Sequence, residues 1–214
     1  QIGKVVTTVT DAITRRLIQL AIQRLGPPPV KFAWLALGSQ GRQEQSAKSD
    51  QDNALLLEDG FLPEHDSYFE ELAKYVCDGL DACGYVYCPG DVMASNTRWR
   101  QPLKVWKGYF GRWIAEPEPK ALMYANIFFD LRLVEGQESL VNELKEHIAK
   151  LARKNQFFLA MMAKNAMAFQ PPLGFFRQFV LDKSGAHGDS LDMKHRGVIP
   201  IVELARIYSL AGGE

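Results

Sequence analysis

The segment from Gly38 to Asn53 constrains this chain more than any other. It reads Gly38-Ser39-Gln40-Gly41-Arg42-Gln43-Glu44-Gln45-Ser46-Ala47-Lys48-Ser49-Asp50-Gln51-Asp52-Asn53. An apolar run, Phe32 to Leu37, leads into it, and Ala54-Leu55-Leu56-Leu57 follows it. Short apolar runs bounded by turn residues read as buried strands. The order is therefore strand, tight turn, short helix, then a strand that opens on two carboxylates. A chain folded this way can hold a nucleoside triphosphate together with its cations.

Side chains at i and i+2 of a strand project from one face, so Asp50 and Asp52 point together, with Cα atoms about 7 Å apart. Paired carboxylates repel unless a cation lies between them. Magnesium takes oxygen ligands, often one or two carboxylates plus substrate phosphates. Asp-rich turns before strands are common, so the pair gains its meaning from the neighbouring Gly38-Ser39 turn. Glycine allows close approach of phosphate oxygens to the backbone, helix-start amides favour anions, and the Ser39 hydroxyl is a donor. Arg42 supplies positive charge. No Gly-Lys-Ser/Thr follows, so this is not a P-loop.

A two-metal site, with ions about 4 Å apart, needs a further carboxylate. Asp130 is the candidate, inside the apolar run Asn126-Ile127-Phe128-Phe129-Asp130-Leu131-Arg132-Leu133-Val134. A charge buried there is costly unless paired. Arg132 on the same strand face offers the plainer alternative, a polar pair on a sheet.

Around this core the pattern is mixed, then helical. Val6, Val9, Ile13, Leu17 and Leu20 form an apolar stripe at helical spacing that predicts a helix over 4–25, stopped by Gly26 and Pro27-Pro28-Pro29. Strands are predicted over Val30–Leu37, Gln51–Leu57, Tyr85–Tyr87 and Ile127–Val134. Helices are predicted over 39–45, 64–83, 103–114 and 120–125. Beyond 137 helical spacing dominates, through Leu140, Leu144, Ile148 and Leu151 and on to Met167. Pro171-Pro172 and Gly174 break the chain, a polar loop covers about 183–190, and a last helix starts near Pro200 with Ile201, Leu204, Ala205 and Tyr208 inward. This predicts an N-terminal helix or linker over 1–29, an α+β domain over 30–136 and a helical domain over 137–214.

Other residues carry weaker signals. Lys194 and Arg196 could reach a nucleotide, or simply be solvated charges. His187 and His195, near Asp189 and Asp192, read as solvated loop residues. Trp106, Tyr109, Phe110 and Trp113 read as core before base-stacking platform, and Cys88 as a buried strand end. Lys+Arg and Asp+Glu are both 25, which argues against a broad nucleic-acid surface. No run has the length of a membrane span, and no signal peptide is expected. Three cysteines without a Cys-x-x-Cys pair suit reduced thiols in the cytoplasm. The chain opens at Gln1 rather than an initiator methionine, which suits either a piece of a longer protein or a processed chain.

These residues resemble the nucleotidyltransferase superfamily of DNA polymerase beta, whose signature is apolar-Gly-Ser, a spacer, Asp-x-Asp and a later acidic residue. Gly38-Ser39-Gln40-Gly41-Arg42 through Ser49-Asp50-Gln51-Asp52 is similar to the PII uridylyltransferase and glutamine synthetase adenylyltransferase group. Asp130-Leu131-Arg132-Leu133 matches the start of the second motif of the adenylyltransferases, with Val134-Glu135 in place of its Arg-Pro. Cys88-Pro89-Gly90-Asp91-Val92-Met93-Ala94, Phe129 to Arg132, Leu191-Asp192-Met193-Lys194 and Ile199-Pro200-Ile201 resemble a nucleotidyltransferase family often fused behind cyclic-nucleotide-binding and CBS domains.

The resemblance, spanning about 30–212, implies a polymerase beta-like mixed sheet with flanking helices and a C-terminal helical bundle. It implies Gly38 and Ser39 as nucleotide contacts, beside the candidates Arg42 and Lys194 read from the residues themselves, and Asp50, Asp52 and Asp130 as catalytic ligands of magnesium, or of manganese in its place. The implied reaction moves a nucleoside monophosphate from a triphosphate to a hydroxyl, with a regulatory protein as one candidate acceptor. The alternative is a nucleotide-sensing module, without chemistry, in a multidomain signalling protein.

Overall fold

The computed structural model describes residues 2–46, 49–168 and 197–213. Among them the chain is α+β: a four-stranded mixed sheet and eight α-helices, the last of which belong to a helical C-terminal part. The strands are β1 (Phe32–Ala36), β2 (Asn53–Leu57), β3 (Arg100–Pro102) and β4 (Arg132–Gly136), in the order β3-β2-β1-β4. β1 pairs antiparallel with β2 and with β4, while β2 and β3 run parallel. The helices are α1 (Ile2–Leu25), α2 (Gly38–Gly41), α3 (Asp66–Ala82), α4 (Leu103–Ala115), α5 (Pro119–Phe128), α6 (Glu138–Lys154), α7 (Gln156–Met167) and α8 (Ile199–Gly212).

β1 and β2 are apolar almost throughout because both faces are buried. Phe32, Trp34, Leu55 and Leu57 pack with Ile18 and Ala21 of α1 and with Phe69, Leu72, Val76 and Leu80 of α3. Ala33, Leu35, Ala54 and Leu56, of opposite parity, are equally buried. The indole of Trp106 on α4 donates to the Leu55 carbonyl at 3.1 Å. Trp106, Phe110 and Trp113 are buried, so the aromatic helix is core.

The chain forms two compact units. One comprises Gln1–Arg112 with Met123–Ile148, and the other Trp113–Leu122 with Ala149–Glu214. In the second, α7 and α8 pack together, burying Phe158, Leu159, Met162 and Leu210. Asn155 caps α7 by accepting from the Phe158 amide at 2.9 Å and donates to the Ile114 carbonyl.

Three local expectations are corrected. Tyr85–Tyr87 is not a strand; it is tied to the chain just ahead of β2 by Gln51, whose backbone N–H donates to the Val86 carbonyl and whose side chain donates to the Tyr85 carbonyl. The strand predicted over Ile127–Val134 is instead the end of α5, a turn at Phe129-Asp130, and β4 from Arg132. Phe128 stays helical because its ring lies 4.4 Å from that of Trp99 and 5.5 Å from that of Trp106, and packing overrides strand propensity.

In α1 the most buried residues are Thr7, Thr10, Asp11, Thr14, Ile18 and Ala21; Ile13 and Leu17 of the apolar stripe pack against the core partly buried, and Val9 is exposed. Polar residues share that face because Thr10 and Thr14 satisfy their hydroxyls on the helix's own carbonyls, and Asp11 meets an arginine of β4. In α8, Ile201, Leu204 and Tyr208 are exposed, and Glu203 and Arg206 are buried as an ion pair at 2.7 Å. Pairing is what makes such burial tolerable.

Candidate active site

β1 delivers the chain to the site and β2 carries it away. Their ladder ends at Ala36 opposite Asn53. One further bond, from the Leu37 amide to the Asp52 carbonyl at 3.0 Å, holds the turn beside the aspartates. Gly38 has φ +51°, and a Cβ there would lie 3.0 Å from Asp52 Oδ2. Only glycine accepts both that conformation and that proximity without strain. α2 is a single turn, shorter than the 39–45 helix expected from sequence, and Gln43 leaves it with φ 61°.

The Asp50-Gln51-Asp52-Asn53 stretch is pinned by its two amides, whose role the sequence reading missed. The Gln51 side chain donates to the carbonyls of Cys77 and Tyr85, each at 2.9 Å. Asn53 Oδ1 accepts from the Ala94 amide at 2.8 Å, and the Asn53 amide donates to the Val92 carbonyl at 3.1 Å. Both amides are buried. Alternation along extended chain then turns Asp50 and Asp52 away from this anchor. The acid-amide-acid-amide order was the available signal. The same bonds bring the Cys88–Ala94 segment against the aspartates.

Ligand atoms of Asp50, Asp52 and Cys88 all lie within 4.8 Å of one another, a group able to hold a metal ion. The Cys88 thiol donates to Asp52 Oδ1 at 3.3 Å. Burial, followed by the Asp52 charge, pushes that thiol up to about 11, so it is a neutral donor at neutral pH. The two carboxylates fit a hard divalent cation by donor chemistry. Cys88 is the member of the group that the sequence reading left in a structural role.

Asp130 sits in the turn ahead of β4 rather than inside a strand. Its Oδ2 accepts from Arg42 Nη1 at 2.6 Å, and Arg42 Nε donates to Glu44 at 2.9 Å. The structure thus joins Arg42 to Asp130, and Asp50 to Asp52 and Cys88. Arg132 is not the partner of Asp130. Its guanidinium grips both oxygens of Asp11 at 2.8 and 2.9 Å and donates to the Gln40 and Gly41 carbonyls. Arg132 therefore ties α1, α2 and β4 behind the site. Lys194, with Arg196, His187, His195 and the Leu191–Lys194 segment, lies outside the described residues.

Residues 1–120 match the family model described as Putative nucleotidyltransferase DUF294. Residues 156–213 match a second, described as Putative nucleotidyltransferase substrate binding domain. The first match takes in more than half of the chain, which belongs to this nucleotidyltransferase family. α1 and the Asp50–Asp52–Cys88 group lie inside the first match, α7 and α8 inside the second, and Asp130 between them. No curated protein matches the chain. All three cysteines are free. Among the described residues no helix is long and apolar enough to cross a membrane.

Proposed function

We propose that the chain transfers a nucleoside monophosphate from a nucleoside triphosphate to a hydroxyl acceptor, releasing pyrophosphate. The observation that carries this reading is the convergence of Asp50 and Asp52 beside the Gly38-Ser39 turn, in a chain of nucleotidyltransferase family.

In this reading Asp50 and Asp52 hold the divalent cation, magnesium or manganese, which neutralises charge on the phosphates and on the leaving pyrophosphate. Gly38 and Ser39 face the triphosphate, and Arg42 contributes a guanidinium to it. The acceptor oxygen attacks the α-phosphorus as the bond to pyrophosphate breaks, and the acceptor proton passes to Asp130. Arg42 must leave Asp130 for either role, so a triphosphate drawing Arg42 away would free the carboxylate that takes the proton. Catalysis is then mainly positioning and charge stabilisation. The substrate-binding description of the second match supports assigning acceptor recognition to residues 156–213, with Lys194 as a nucleotide contact. A PII-type regulatory protein is the acceptor to try first, on resemblance.

Replacing both aspartates, Asp50→Asn with Asp52→Asn, tests the proposal. Pyrophosphate release and transfer of α-labelled nucleotide to a lysate acceptor should fall at least about a hundred-fold, with an unchanged circular dichroism spectrum. Transfer at the wild-type rate refutes the reading.

One observation favours a second reading. Arg42 holds Asp130 at 2.6 Å, apart from the Asp50–Asp52–Cys88 group. A module that senses nucleotide without chemistry needs no third carboxylate. Cation-dependent nucleotide binding by calorimetry, with no pyrophosphate formed across the four triphosphates, would select it.

A further inference from the structure

We infer that Cys88 is the third donor of the Asp50–Asp52 cation site, and that the three side chains together bind a borderline-soft divalent cation of the zinc class. The inference rests on the reading of Asp50 and Asp52 as cation ligands, though not on any transfer reaction.

Three observations carry it. The candidate ligand atoms all lie within 4.8 Å of one another. Cys88 Sγ is 3.3 Å from Asp52 Oδ1. A tetrahedral zinc with bonds of about 2.3 Å to sulfur and about 2.0 Å to oxygen separates two such ligands by about 3.5 Å, so little movement is needed. Of the three thiols, Cys88 is also the one in position to bind: Cys77 is buried and directed at Asn53 Oδ1, and Cys83 is exposed and outside the group. The segment bearing it is fixed, since the Cys88 amide donates to Met93 Sδ at 3.4 Å and the Val92 carbonyl accepts from Asn53.

Donor chemistry then divides the cations. Magnesium takes oxygen ligands, and with it Cys88 stays a neutral thiol orienting Asp52. Thiolate favours zinc over magnesium, and as the sulfur–metal bond forms the S–H bond breaks and its proton passes to solvent. No electron moves. Zinc and magnesium therefore compete for the same two carboxylates, and zinc holds the site against a hard ion.

Two measurements on the intact 214-residue chain test this. Zinc should slow iodoacetamide alkylation of Cys88 by roughly ten-fold or more while leaving Cys83 unaffected, mapped by mass spectrometry. Cadmium, as a spectroscopic stand-in, should give a sulfur-to-metal charge-transfer band that C88S abolishes and C83S keeps. Alkylation needs no variant, so a misfolded C88S leaves the test intact. Unchanged alkylation of Cys88 under saturating zinc, or a band that survives C88S, overturns the inference. D50N/D52N separates the two levels. If it weakens magnesium binding while zinc leaves Cys88 alkylation unchanged, only the thiol assignment fails. If it leaves both magnesium and cadmium binding unchanged, the carboxylate reading fails, and this inference with it.

Discussion

Gly41 shows how tightly single residues are set around the site. A Cβ there would collide with the Asp130 carbonyl oxygen, and backbone cannot step aside as a flexible side chain can. Gly41→Ala must separate α2 from the Asp130 turn. It should cost roughly 1–3 kcal/mol, the scale of overpacking, and loosen the Arg42–Asp130 pair. Gly108→Ala in α4, with nothing within 4 Å of the added carbon, should instead gain roughly 0.5–1 kcal/mol of helix propensity. Urea unfolding of the two variants side by side checks both signs. Residue chemistry also explains what the sequence could reveal here. Asp50 and Asp52 are two apart, so chain geometry alone puts them together. Cys88 is thirty-six residues beyond Asp52, and no local rule brings it there.

At the scale of elements, one arginine joins α1, α2 and β4. Arg132 on β4 binds Asp11 through two bonds and reaches two carbonyls of α2. The Asp11 side chain is 7% exposed. Removing one partner of a buried pair leaves the other charge uncompensated. Asp11→Ala should therefore destabilise the protein by about 3 kcal/mol, the lower end for such pairs, because Arg132 is partly solvated and keeps its carbonyl partners. The midpoint of urea denaturation measures it, and a loss below about 0.5 kcal/mol contradicts the structural role.

The polar residues buried on α1 and α8 come from the same effect. Hydrophobic periodicity presumes that apolar residues turn inward. A long-range pair such as Asp11–Arg132, or a pair within the helix such as Glu203–Arg206, allows polar residues to take that face. Asp130 was misplaced for a related reason. Its apolar neighbours read as strand, but Phe128 is held in a helix by Trp99 and Trp106.

For the molecule as a whole, the core itself carries a pH dependence. Cys77 lies among the residues packed beneath the sheet, and burial raises its thiol from the ordinary 9.0 to about 11. Its folded value exceeds its unfolded one, so the stability it contributes is complete below about pH 9 and is lost as pH rises toward 11. The urea midpoint should be flat from pH 7 to 9 and fall above it. Cys77→Ala should flatten part of that fall; Cys88 and Tyr87, raised to about 11 and about 12, contribute to the remainder, as do Tyr68, raised by burial, and Lys74, raised by its bond to Asp78.

The sequence by itself determined the parts whose causes are local. These are the two buried central strands, the glycine turn that β1 enters, the paired aspartates before β2, the helices from α3 to α7 apart from the far end of α5, and the resemblance that the family match bears out. The tertiary structure alone decided that Arg42 rather than Arg132 holds Asp130, that Asp11 anchors Arg132, and that Cys88 stands against Asp52. Periodicity and turn chemistry act over a few residues and can be read along the chain. An ion pair or a ligand group is chosen in three dimensions, where the partner is whichever charge the packed sheet and helices bring within reach.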